Sequence, residues 1–313
     1  MSDVVPAAAS TAASALTDVS GSGARRRQSA EPRSPEKPLT VISPHQGWFD
    51  WRLRQLWRYR DLIALFVWRD FVAVYKQTML GPAWHVIRAL LSTSIFTVVF
   101  GRVAGLSTDG VPAFLFYMAG TVAWTYFANC IDNVSRTFLA NSTLLGKVYF
   151  HRLVIPLSIV VSNFVAFSIQ FGVLIVALIV YRLMGTVLPI TGWVAALPVA
   201  LIVLGGYALG FGLIVCALTT RYRDLSHLVT FGIQLVMYVS PVIYPVSAVP
   251  ERYRWITMLN PLAPVIEAFR RGALGVGTVT IEQFAASAVV MLIVLTGGLM
   301  LFSHGERTFM DTV

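Results

Sequence analysis

Between two of the most apolar stretches of the chain runs the connection LLGKVYFHRLVIP, Leu144 to Pro156. It carries Lys147, His151 and Arg152 with Tyr149 and Phe150 among them. Cations interleaved with aromatics are suited to recognition: a ring fills a partner's pocket and the charges fix register. A second group lies upstream. At about 100° per residue, Arg69, Asp70, Lys76 and Gln77 fall on one side of a helix and Val67, Trp68, Phe71, Val74 and Tyr75 on the other. A third group is aromatic, with Phe100 and Tyr117 followed by Trp124, Tyr126 and Phe127. Flat rings with polar tips suit stacking on sugar rings, and an interfacial aromatic belt uses the same residues. The fourth is NPLAPVIEAFRRGALG. There Val265, Ile266 and Phe269 recur at helical spacing behind Asn260 and Pro261, beside Glu267, Arg270 and Arg271. Asn260 can cap the start of that helix and Gly272 or Gly275 can end it. Glu267 stands four residues before Arg271, the favourable order for a helical ion pair.

Groups that make or break bonds are not found. There is no GxxxxGK[ST] to cradle phosphates, no HExxH, no GxSxG, and no carboxylate pair in catalytic spacing. The chain is therefore expected to be no enzyme, with no catalytic, cofactor-binding or metal residues of its own. Cys130 and Cys216 lie in apolar runs, where a thiol serves as packing filler. Arg88 and Asp132 are the ionisable residues nearest the interior of a run. Both stand toward run ends, where they can reach headgroups or a loop.

The elements that must hold these groups are membrane spans. The chain is 56% hydrophobic and 12% charged with a mean hydropathy of +0.70, whereas soluble domains carry about 25% charged residues. Six apolar runs lie near 84–104, 113–133, 154–181, 193–219, 228–245 and 284–303. Each approaches the ~20 residues that cross a hydrocarbon core about 30 Å thick. The expected fold is an all-α integral membrane protein with six transmembrane helices. Most of the 24 Lys and Arg residues fall inside if both termini do; outside lie Arg102, Arg182, Arg252, Arg254, Arg270 and Arg271. The positive-inside rule then sets the orientation N-in, C-in. The net charge of +9 follows this asymmetry and does not imply nucleic acid.

Residues 1–40 cannot bury a core and read as a disordered cytoplasmic tail. Residues 41–82, dense in Trp and Arg, read as an amphipathic interface segment. Residues 83–303 form the span domain, and 304–313 a cytoplasmic C-terminal tail. The long link at 245–282 is expected to fold as two short re-entrant helices before the last span, allowed where they pack on protein or line a cavity.

Four segments carry a specific resemblance. RDFVAVYKQTMLGPAW, NSTLLGKVYFHRLVIPLS, RYRDLSHLV with YVSPVIYP, and LNPLAPVIEAFRRGALG resemble, in order, landmarks of ABC-type polysaccharide exporter permeases, the O-antigen and teichoic acid export family. The resemblance runs from about residue 50 to 305, and His151 stands where that family usually has Pro. It implies a multi-pass protein of the bacterial inner membrane, acting as a homodimer with two ATPase subunits that bind ATP and Mg. It implies an undecaprenyl-linked polysaccharide as cargo. The 144–156 loop and the 60–80 helix would couple to the ATPase through Lys147, Tyr149, Phe150, His151, Arg152, Arg69, Asp70 and Lys76. The aromatic group would line the cargo path, and residues 246–275 would gate its outer end. Rival readings are a permease for teichoic acid, drugs or small lipids, a membrane glycosyltransferase, which would need an acidic cluster beyond Asp224, and a structural scaffold.

Overall fold

The computed structural model describes residues 56–76, 78–141, 150–189, 191–219, 222 and 224–312. The expectations for residues 1–55, Gln77, Lys147 and Tyr149 fall outside them. All regular structure among the described residues is helical. A 3-10 turn, Trp57–Tyr59, leads into α1 (Arg60–Tyr75). Five helices are long and apolar enough to cross a membrane: α2 (Ala83–Val103), α3 (Ala113–Ser135), α4 (Val154–Leu183), α5 (Gly192–Thr219, opening with a 3-10 turn) and the last helix up to His304. Pro82 and Pro112 stand just before α2 and α3, positions where a missing N–H leaves no bond unmade.

The six-span expectation is met only in part. The fifth run, near 228–245, gives a helix of only 15 residues, α6 (Leu225–Val239). At 1.5 Å per residue it spans about 22 Å, short of a hydrocarbon core. Ser240 to Tyr244 leave the helix because Pro241 and Pro245 break it. Then come α7 (Arg254–Leu259), α8 (Ala263–Leu274) and α9 (Ile281–Thr312). Helix α9 runs on past residue 304 to Thr312.

At the centre stand α3 and α5. Helix α3 packs on α2, α4, α5 and α8, and α5 packs on α3 and α9. The α5–α9 approach is close because of glycine: a Cβ on Gly210 would lie 2.9 Å from the Leu295 backbone, and one on Gly298 would strike the Gly210 carbonyl. Small residues let membrane helices gain contact where no hydrophobic drive exists between them.

The bundle has two distinct ends. At one, α1 packs on α4, and Phe66 joins a cluster with Phe138, Leu153, Leu213 and Phe302, with Phe150 packed against it. At the other, the α2–α3 turn, the α4–α5 link and the α7–α8 hairpin come together. There the Ser247 hydroxyl donates to Asp109 at 2.6 Å, and Thr191 to the Arg271 carbonyl at 3.3 Å. The turn after α6 reaches inward: a Cβ on Gly120 would sit 2.6 Å from the Val242 oxygen. Gly120 lies seven residues into α3, roughly 10 Å from its end.

Candidate coupling and gating sites

The sequence of α1, RDLIALFVWRDFVAVY, is apolar on more than one side, so its partners decide which face is buried. They select Phe66, 7% exposed, with Leu62 and Ile63 beside it. On the side expected to be apolar, which carries Val67, Trp68, Phe71, Val74 and Tyr75, Trp68 stacks on Phe71 at 6.0 Å and is 65% exposed. The Phe66 ring meets Phe150, centroid to centroid 5.8 Å. Arg69 lies over the outer face of Phe66, 4.7 Å from its centroid, and donates to the Asp70 carboxylate at 2.7 and 3.0 Å. The interface helix and the connection before α4, two separate sequence signals, thus meet through one aromatic pair. Phe150 is half-buried in that pair, not held out as a free anchor, and Arg152 is buried. Lys76 is exposed at the end of α1.

The aromatic group expected to line a path lies inside the protomer. Tyr117 is wholly buried, 5.5 Å from Phe116 and 6.4 Å from Phe100. Trp124 packs on Phe127 at 5.4 Å, and Tyr126 on Phe167 at 5.4 Å. Gly205 makes room for the Tyr126 hydroxyl, which would lie 2.9 Å from a Cβ there. Of the five, only Phe100 is half-buried. The cause is the central position of α3: a helix enclosed by four others turns its large rings into the core.

The hairpin around α8 is the most heavily tied element. Asn260 holds its start one turn early, accepting from the Leu262 N–H at 3.0 Å and donating to Ser240 at 2.8 Å. Pro261 offers its carbonyl to the Ser287 hydroxyl of α9 at 2.5 Å, and Tyr207 of α5 donates to the Ser287 carbonyl at 2.6 Å. Gly275 ends the helix in the left-handed region, φ 77°, returning its N–H to Arg271. Val265, Ile266 and Phe269 are fully buried. The expected Glu267–Arg271 ion pair does not form. Glu267 is drawn away by the Val246 N–H at 3.2 Å and the Thr278 hydroxyl at 3.0 Å, pinning the segments before and after α8 together. Arg271 stacks on Trp193 at 4.7 Å and donates to the Val279 carbonyl.

Arg270 is the most buried of the charged side chains here, 1% exposed. Its Nη2 donates to the carbonyls of Pro241 and Val242 at 2.7 and 3.1 Å, and its guanidinium lies 3.9 Å from the Phe116 centroid. One side chain therefore clamps α8, the turn after α6 and α3. Sequence reasoning missed Tyr207, Ser287, Asp109 and Ser247. Ser287, an isolated hydroxyl in the last apolar run, was the signal available.

Residues 61–274, more than half of the chain, match the family model for the ABC-2 type transporter. The chain belongs to that family. The permease is 31% identical over 251 residues to the O-antigen export system permease protein RfbA of Klebsiella pneumoniae, covering 80% of this chain and 94% of the relative. It is 25% identical over 264 residues to the RfbA of Myxococcus xanthus, covering 83% and 98%. Against the inner membrane transport permease YadH of Escherichia coli K12 the identity is 20% over 228 residues, covering 71% and 86%. As an ABC-2 permease with several apolar helices, the chain is a multi-pass protein of the inner membrane.

Proposed function

We propose that two copies of this permease and two ATPase subunits form an exporter that carries a lipid-linked, O-antigen-like polysaccharide out across the inner membrane. The observation that carries this is the meeting of α1 and the connection before α4 at Phe66 and Phe150, read with relatives whose names specify O-antigen export. Phe150 rests on α1, so a partner that grips the connection also grips α1. The α1 end is then the cytoplasmic end. The hairpin end faces outward, and α7 and α8 form the re-entrant pair that closes it. Helix α6 stops short and Val242 lies roughly 10 Å into α3, which suits a segment entering from the outer side. Export is tested by deleting the gene, measuring surface glycan, and complementing with wild type or Phe150→Ala. Wild type should restore glycan, and the ATPase should co-purify with it but less well with Phe150→Ala. Full surface glycan in the deletion strain would refute the proposal.

A further inference from the structure

A cleft of about 570 Å³ opens at the α1 end, between α1, α2, α3 and α4, and the hairpin and aromatic core take no part in it. Arg69, Arg88 and Arg136 line it, with Asn129, Asn133 and Ser162. Two of the arginines are already matched: Arg69 pairs with Asp70 at 2.7 Å, and Arg136 with Asp132 at 3.1 Å and Thr230 at 3.0 Å. Arg88 is different. Among the described residues no carboxylate lies within 4 Å of it. It stands five residues into a span, about 7.5 Å along the helix, where an unbalanced charge calls for a partner.

The neutral groups repeat the pattern. Asn129 and Asn133 of α3 stand at i and i+4, with Arg136 just past the helix end, and all three face the cleft. Neither Asn129 nor Asn133 finds a side-chain hydrogen bond among the described residues. The Ser162 hydroxyl of α4, closed off from solvent, finds none either. Unmade bonds on three spans thus surround one volume. The α4 wall is largely apolar, with Ile155, Ile159, Val165 and Ala166 along it and Asn163 bonded to the Ile159 carbonyl at 2.8 Å, and His85 and Asn141 also line the cleft.

We infer that this cleft binds the diphosphate headgroup of a polyprenyl-linked substrate, with the prenyl chain lying along the apolar α4 wall. Arginine forks match phosphate oxygens in pairs, and amide and hydroxyl donors complete the shell. The volume falls in the range of small-molecule sites and exceeds what one inorganic anion fills. The inference rests on the proposed export of a lipid-linked glycan and adds the place where the carrier is held before export. The same phosphate chemistry occurs in bulk phospholipid, so the test separates the two sources.

The full chain in lipid nanodiscs is titrated with undecaprenyl diphosphate, and binding is read by native mass spectrometry with phosphatidylglycerol as competitor. Wild type should bind and should resist displacement by an equal amount of phosphatidylglycerol. Arg88→Gln should bind about tenfold more weakly, the loss of one charge-assisted contact. Asn133→Ala, a change at an exposed position, should weaken binding about threefold and keeps the test readable if Arg88→Gln inserts poorly. If wild type binds and both variants bind equally well, the cleft assignment is wrong while the export reading stands. Equal displacement by phosphatidylglycerol makes this an ordinary lipid site and overturns the inference. Failure of wild type to bind undecaprenyl diphosphate at all removes both the cleft and the lipid-linked cargo.

Discussion

Arg270→Met tests whether a single buried cation holds the hairpin. The substitution removes two charge-assisted hydrogen bonds, to Pro241 and Val242, and a guanidinium 3.9 Å from the Phe116 centroid. Bonds to charged groups contribute about 2 kcal/mol each, and a desolvated cation–π contact about 2 kcal/mol. Opposing this is the cost of burying the charge, since Arg270 Nε and Nη1 have no hydrogen-bond partner. Replacing a buried ionic group by an apolar one can even stabilise a protein. Here, however, the partners are backbone carbonyls, which methionine leaves buried and unsatisfied. The net loss should be about 3 kcal/mol, or about 8 °C in melting temperature for a domain of this size. The assay is thermal unfolding of detergent-solubilised protein followed by fluorescence size exclusion. Arg270→Lys should fall between, because an ammonium keeps the charge but lacks the fork that spans both carbonyls. An Arg270→Met protein melting at or above wild type would mean that desolvation outweighs the carbonyl contacts and that the hairpin is held by something else.

Two further outcomes follow from the packing. In a double-mutant cycle, Phe66→Ala and Phe150→Ala should each lower the melting temperature, and the pair should cost about 1 kcal/mol less than the sum of the two, since their rings meet at 5.8 Å. Additive effects would dissolve the junction. Gly298→Ala drives a methyl group into the Gly210 carbonyl and should destabilise the α5–α9 crossing by about 2 kcal/mol, read as loss of the monodisperse peak on heating.

The elements were largely legible because each span is a long apolar run, and hydropathy alone reports it. The fifth failed for a local reason. Val242, Ile243 and Tyr244 are as apolar as the helix before them, so a hydropathy count runs on, while Pro241 and Pro245 end the helix. The 246–275 segment was legible as helical and buried, since Val265, Ile266 and Phe269 keep their spacing. Its bonding was not: spacing pairs Glu267 with Arg271, and only the fold brings Val246 and Thr278 close enough to compete. The aromatic group shows the same limit from the other direction. Tyr117, Trp124, Tyr126 and Phe127 present the same residue types whether they line a path or fill a core, and the enclosure of α3 by four helices decides which. For α1, the buried face was set by Phe150 and α4, partners that a helical projection of α1 cannot contain.

How force at one end could reach the other is a question of which parts are rigid and which have two arrangements. Helix α9 is rigid. It stacks Phe302 on Phe138 at 4.8 Å in the same cluster that receives Phe150. Fifteen residues earlier, about 22 Å along the helix, its Ser287 bonds Pro261 of the hairpin and is fixed by Tyr207 of α5. The glycine crossing brings the backbones of α5 and α9 into contact. Continuity of contact is not by itself a transmission path; an element with two arrangements is also required. Coupling along α9 would need a second arrangement of α8. With 12 residues α8 is marginal alone in water and keeps its place through Glu267, Arg270 and the Ser287–Pro261 bond. A displacement of α9 would act first on the last of these contacts.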